Sequence, residues 1–226
     1  MPTSTPAQAV LFDLDGVLTD TARHHFVAWR ALAESLGIEF TEVLNERLKG
    51  VDRMGSLELI LEAGNFSLDP ELKRDLADRK NEHYQELVAA MTPADLLPGA
   101  VAALEAVRRA GLKIGLCSAS RNALTVLHRL GILARFDVIV DAATVAHGKP
   151  APDIFLEGAR LLEVPPRACI GVEDAVAGVR AIKAAGMWAV GVGDARILAE
   201  ADEVIPDLLA FDVARYLSPA PALPTA

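Results

Sequence analysis

The chain has 226 residues, of which 52% are hydrophobic and 23% charged, and its net charge is −9. That size and balance suit a globular enzyme with one large domain, or a large and a small one. The negative charge argues against nucleic acid or an anionic membrane as principal partner. No basic segment followed by an apolar one opens the sequence, and no run approaches the roughly 18 apolar residues of a membrane helix. We therefore expect no signal peptide, no membrane partner, a cytoplasmic location and a monomer. Cys117 and Cys169 both fall in predicted buried strands and read as inert reduced thiols.

The first predicted element is a strand over residues 9–12, "AVLF", apolar throughout and so buried on both faces. Residues 18–92 then read as helical throughout. A helix over 21–36 carries His25, Trp29, Leu32 and Leu36 at helical spacing and stops at Gly37. A second runs from about Thr41 to Gly50, and a third over 53–63 ahead of Gly64. The fourth opens with Asp69 as N-cap and Pro70 at the first helical position and continues to Met91, with a charged face that reads as solvated.

From "DLLPGA" onward strands and helices alternate. The order is helix 99–110, strand 112–117, helix 121–130, strand 136–140, helix 152–164, strand 168–172, helix 175–185, strand 188–192 and a short strand near 203–206. A last helix reaches about Leu217, and residues 218–226 form a proline-rich tail. Such alternation predicts a Rossmann-like parallel sheet covered on both faces, with the helical stretch inserted as a cap. We assign 1–17 and 93–226 to an α/β core domain and 18–92 to the cap.

Ligands of such sheets bind beyond the carboxyl ends of the strands. Polar residues collect there: Asp13 and Asp15 after the first strand, then Ser118, Ala119, Ser120, Arg121 and Asn122. Lys149 follows the third after a loop, and Glu173 and Asp174 follow the fourth. Clustered carboxylates must share a cation or a proton, and oxygen donors of this kind suit Mg²⁺. A lone carboxylate about 4 Å from a phosphate dianion is repelled by roughly 8 kcal/mol at an effective dielectric near 20. A divalent metal and Lys149 can offset that repulsion, leaving Asp13 as nucleophile and Asp15 as proton donor and acceptor. Ser118 can hold phosphoryl oxygens, and a helix starting near Ser120 would add backbone N–H donors. Plainer readings stand beside these. Glu173 and Asp174 could cap the following helix, His25 could pack beside Trp29, and Lys80 could lie on a solvated face, with His24 at the surface.

"DLDGVLTDT", "SASRN", "GKPAPD" and "GVEDA", in that order and on these elements, resemble the haloacid dehalogenase superfamily of phosphotransferases. "HHFVAWRALAESLGI", "LKGVDRMGSL", "RKNEHY", "PADLLPG" and "KPAPDIF" extend the resemblance to its beta-phosphoglucomutase family across about residues 8–216. The resemblance implies interconversion of beta-D-glucose 1-phosphate and glucose 6-phosphate through an aspartyl phosphate and beta-glucose 1,6-bisphosphate. It makes Asp13 the nucleophile and Asp15 the acid/base. It gives Mg²⁺ to Asp13, the Asp15 carbonyl, Glu173 and Asp174, and the transferring phosphate to Ser118 and Lys149. It assigns Arg53, Ser120, Arg121 and Asn122 to a distal phosphate, Lys49, Gly50 and Ala119 to substrate contacts, and His25 and Lys80 to cap closure over the sugar. Arg121 stands where lysine is common, which keeps the charge and changes the geometry. The alternative reading is a Mg²⁺-dependent phosphatase acting on a small sugar phosphate, for which a distal phosphate grip is unnecessary.

Overall fold

The computed structural model describes residues 6–48 and 51–217. Lys49, Gly50 and the tail from Ser218, on which expectations were placed, lie outside the described residues. Strand β1 (Ala9–Phe12) is the centre of a six-stranded parallel sheet with β2 (Lys113–Leu116), β3 (Val138–Ile139), β4 (Cys169–Glu173), β5 (Trp188–Val192) and β6 (Glu203–Ile205). The spatial order β3-β2-β1-β4-β5-β6 reverses direction at β1, flanked by β2 and β4. The carboxyl ends of these three strands therefore border one crevice.

The period of two along each strand sorts side chains to the two faces. Val10 and Phe12 of β1 join Ile114, Leu116, Ile170 and Val172 in a cluster under α5 (Ala100–Arg109) and α6 (Ala123–Arg129). Ala9 and Leu11 face the other way, toward Phe155 of α7 (Asp153–Leu161) and Ile182 of α8 (Val176–Ala184). β3 has only two assigned residues, where 136–140 was expected to be strand. Asp137 N and Val140 N still donate to Ile114 O and Leu116 O and extend its ladder at both ends.

Between β1 and α5 lie α1 (Ala22–Ser35), α2 (Glu42–Leu48), α3 (Arg53–Ala63) and α4 (Pro70–Ala89). They share a separate apolar cluster that includes Trp29, Leu32, Leu44, Leu57, Ile60 and Leu76. The chain leaves for these helices and returns side by side. Leu97 N donates to Leu18 O (3.0 Å), and Thr19 Oγ1 donates to Asp95 O (2.7 Å). Ala28, Tyr84, Val88 and Met91 join the cluster of the sheet, so α1 and α4 carry the contact between the two cores. Among the described residues no helix is long and apolar enough to cross a membrane.

The last helix expected from the sequence does not form. Two 3-10 turns, Leu208–Ala210 and Val213–Tyr216, take its place. Asp207 and Asp212 each accept a backbone N–H at the start of one turn, and extended Phe211 separates them. The segment thereby buries Leu208, Phe211, Val213 and Tyr216 against the sheet cluster, which a continuous helix would not bring to one side.

Candidate active site

β1 ends in a tight turn built around Asp13, Asp15 and Gly16. Asp13 N continues the ladder to Val172 O (2.9 Å), which fixes Asp13 at the strand mouth. Gly16 has φ +79°, and a Cβ there would lie 2.0 Å from Asp174 Oδ2, so only glycine lets the turn pass beneath that carboxylate. Lys149 comes from the loop between β3 and α7, which is pinned where His147 N and Nδ1 meet Asp153 Oδ1 (3.2 and 3.0 Å). Its ammonium donates to Asp13 Oδ1 (2.6 Å) and Glu173 Oε1 (3.2 Å), with all three side chains buried.

Burial alone would lower the Lys149 pKa, but the charges of Asp13 and Glu173 outweigh it and hold the ammonium above the usual lysine range. Glu173 moves up, chiefly through burial and then through Asp13, with Lys149 opposing. Glu173 Oε2 is enclosed without a hydrogen-bond partner. Asp13, Glu173 and Asp174 each offer an oxygen, and these atoms lie within 4.8 Å of one another. An all-oxygen acidic donor set with an orphaned buried oxygen fits a hard divalent cation. The N-cap of α8 is Ala175, so Glu173 and Asp174 both precede the helix rather than occupying its cap position.

Asp15 is oriented differently from Asp13. Burial, followed by the charges of Asp13 and Asp174, raises its pKa well above the usual carboxylate range and favours the protonated acid. His25 Nε2 lies 3.9 Å from Asp15 Oδ2, and His25 Nδ1 lies 2.7 Å from Lys80 Nζ. His25 thus bridges the two through its opposite ring nitrogens, Nδ1 toward Lys80 and Nε2 toward Asp15. Burial and then Lys80 lower the His25 pKa, which keeps the ring neutral. His25 stacks on Tyr84 with centroids 4.1 Å apart, while Lys80 lies over the Trp29 and Tyr84 rings at 4.5 and 4.8 Å. Lys80 is thus buried rather than on a solvated face, and burial brings its pKa down to about 7. His24, expected at the surface, is half-buried, with Nδ1 enclosed and unpartnered.

Asp13, Asp15, Arg53 and Arg121 all line one cavity of about 90 Å³. Arg53 opens α3 behind Asp52, whose carboxylate accepts from Met54 N and Gly55 N. Burial depresses the Arg53 pKa, and the charge of the neighbouring Arg121 guanidinium lowers it further. Ser118, Ala119, Ser120 and Asn122 line the same cavity, as do His25 and Lys80. The helix near Ser120 starts later than expected, at Ala123. Ser118 Oγ takes Ser120 N (3.1 Å) and Ser120 Oγ takes Asn122 N (3.2 Å), so those N–H groups already have acceptors.

Asp13, Asp15, His25, Arg53, Lys80, Asp174 and residues 118–122 thus line one cavity, and Lys149 joins Glu173 to Asp13. Sequence reasoning missed Asn81, which joins Arg53 to Asn122, although it sits inside "RKNEHY" and one turn before Gln85. Gly178 was missed too: a Cβ on it would lie 1.7 Å from Glu173 Oε1, so α8 leaves room for that carboxylate.

The haloacid dehalogenase-like hydrolase family matches residues 7–186. Beta-phosphoglucomutase of Bacillus subtilis is 50% identical over 200 residues, covering 88% of each chain. The phosphorylated carbohydrates phosphatase of Thermotoga maritima is 35% identical over 205 residues, 87% of this chain and 92% of that one. The crystal structure of beta-phosphoglucomutase from Clostridium difficile superposes with a TM-score of 0.90 at 45% identity, covering 92% of this chain and 95% of that one. The chain belongs to the haloacid dehalogenase-like hydrolase family, in its beta-phosphoglucomutase branch.

Proposed function

We propose that this chain interconverts beta-D-glucose 1-phosphate and glucose 6-phosphate by way of beta-glucose 1,6-bisphosphate. The single observation that carries the reading is one cavity lined both by two acids, Asp13 and Asp15, and by two neighbouring guanidinium groups, Arg53 and Arg121. A molecule phosphorylated at both ends needs both grips, whereas hydrolysis needs only the first. The likeness to two beta-phosphoglucomutases supports the same choice.

In our reading Asp13 attacks phosphorus, the bond to the departing sugar oxygen breaks, and Asp15 gives that oxygen its proton. In the reverse direction Asp15 takes the proton of the sugar hydroxyl as that oxygen attacks the aspartyl phosphate. Lys149 and Ser118 hold the transferring phosphoryl oxygens. A magnesium ion held by Asp13, the Asp15 carbonyl, Glu173 and Asp174 would supply positive charge to the phosphoryl group. Arg53, Ser120, Arg121 and Asn122 hold the other phosphate. His25 and Lys80 line up Asp15 and cover the sugar, and the closed cap keeps water from the aspartyl phosphate. We take 18–92 as that cap and 1–17 with 93–226 as the core. The protein is read as a cytoplasmic monomer with no nucleic-acid or membrane partner.

NMR of the purified protein with beta-glucose 1-phosphate, Mg²⁺ and a trace of the bisphosphate tests the proposal. Glucose 6-phosphate is the expected product. Free glucose and inorganic phosphate in its place would establish the phosphatase alternative.

A further inference from the structure

The amide oxygen of Asn81, on α4, accepts two hydrogen bonds from groups that the fold brings from far apart. Arg53 Nη2, at the start of α3, donates to it at 2.8 Å, and Asn122 Nδ2, ahead of α6, donates at 2.7 Å. Asn122 Oδ1 in turn accepts from Gln85 Nε2 at 3.1 Å, one helical turn beyond Asn81. Asn81 is half-buried and lines the cavity that both partners line. Its partners are 28 residues before it and 41 after it, one among the inserted helices and one on the sheet side.

We propose that Asn81 is a positioning residue for the distal phosphate, acting through Arg53 and Asn122. The inference rests on the function proposed above and deepens it. A guanidinium has five N–H donors, and its fork recognises a phosphate only when its plane is fixed. Asn81 takes one donor from that fork at Nη2 and exposed Asp78 takes one at Nη1 (3.5 Å), which leaves three for an anion. Asn81 likewise takes one of the two Asn122 Nδ2 hydrogens. An aspartate here would carry a charge that opposes the phosphate, while a hydroxyl would be too short to span both partners. The neutral amide sets the angle between two anion grips without competing for the anion. It also ties the grips together across the two apolar cores, so the distal site is complete only when those cores are in contact.

The test compares Asn81→Ala and the isosteric Asn81→Leu with the unaltered protein on two substrates. Beta-glucose 1-phosphate with its bisphosphate uses the distal end, and acetyl phosphate has no distal group. Both variants should lose about 10–100-fold in kcat/KM on the sugar substrate, the size expected for a hydrogen bond to a charged group. The loss on acetyl phosphate should be at least tenfold smaller. In the double variant Asn81→Ala/Asn122→Ala the losses should be clearly less than the product of the single losses, because one residue acts through the other. Equal losses on both substrates would reduce Asn81 to structural support, and multiplicative losses in the double variant would make it independent of Asn122. Either result overturns the inference. If the unaltered protein only hydrolyses sugar phosphates, the isomerase reading falls. The inference is then read from the same ratio with bisphosphate hydrolysis in place of isomerisation.

Discussion

The Lys149 ammonium sits 2.6 Å from Asp13 Oδ1, although 136 residues separate the two in the chain. Each is buried, and Glu173 completes the triad at 3.2 Å from the same nitrogen. Removing one partner from a buried ion pair leaves an uncompensated charge, at a cost of about 3–5 kcal/mol. Lys149→Met should therefore lose turnover and also melt at a lower temperature in the presence of a chelator. Part of the lost thermal stability should return with Mg²⁺, which supplies positive charge to the same carboxylates. An unchanged melting temperature with chelator present would show that the triad does not hold the strand ends together.

Asp13→Asn and Asp15→Asn should separate the two acids. The amide at Asp13 is nearly isosteric and a poor nucleophile, so phosphoenzyme formation should vanish with the fold intact. At Asp15 the loss should be about 10²–10⁴-fold with a sugar phosphate, and smaller with acetyl phosphate, whose leaving group needs less protonation. Intact-mass measurement of the phosphoenzyme reads the first outcome and steady-state rates read the second. Retained phosphorylation in Asp13→Asn would place the nucleophile elsewhere.

Arg53→Ala is expected to impair turnover of beta-glucose 1-phosphate by roughly ten- to a hundredfold more than hydrolysis of acetyl phosphate. Parallel losses on the two substrates would instead assign Arg53 to holding α3 against α4 through Asn81 and Asp78.

Lys80 gives a pH signature. Burial brings it to about 7 from an ordinary 10.5. Between those values the unfolded chain binds a proton that the folded chain does not, so this group makes stability rise with pH across that window. Below about 7 both states are protonated and the slope disappears. Lys80→Met removes the term. The stability of the wild type relative to Lys80→Met should thus improve as the pH goes from 7 to 9, by up to about 1.4 kcal/mol per pH unit. Urea unfolding of both proteins at several pH values would show it, and superimposable pH trends would mean that Lys80 keeps an ordinary pKa.

Gly178→Ala ought to stabilise a helix interior by about 0.8–1 kcal/mol on propensity alone. Here the added methyl would meet Glu173 Oε1 at 1.7 Å, so the sign should reverse. We expect a lower melting temperature and a higher Mg²⁺ concentration for half-maximal turnover. A more stable variant with unchanged Mg²⁺ dependence would mean that Glu173 relaxes freely.

The parallel sheet and the acids at its edge were legible because buried strands are apolar runs, and because polar residues have little reason to follow each one except at a ligand crevice. Residues 53–63 and 188–192 matched their helix and strand to the residue, bounded by Asp52 and Gly64 in the first case. Asn81 was missed for a physical reason. Periodicity marks which residues are apolar, not which polar residues meet a partner surface. On α4 it could not distinguish Lys80 and Asn81, turned toward Arg53 and His25, from solvated neighbours such as Arg79. Toward the C-terminus, Asp207 and Asp212 each cap a separate 3-10 turn, where the sequence was read as one helix.

Cys117 lies beside Ser118 with no exposed surface and donates to Ile154 O at 3.4 Å, and Cys169 begins β4, also fully enclosed. Burial pushes the first thiol above its ordinary range and the second up to about 12. The protein thus carries two built-in reporters of its own breathing: a thiol reagent can attack only those molecules whose sheet has momentarily parted. Labelling should be slow in native buffer and rapid in denaturant. Any ligand that favours the folded state should slow it in proportion to its occupancy, so binding could be followed by mass without a chromogenic substrate.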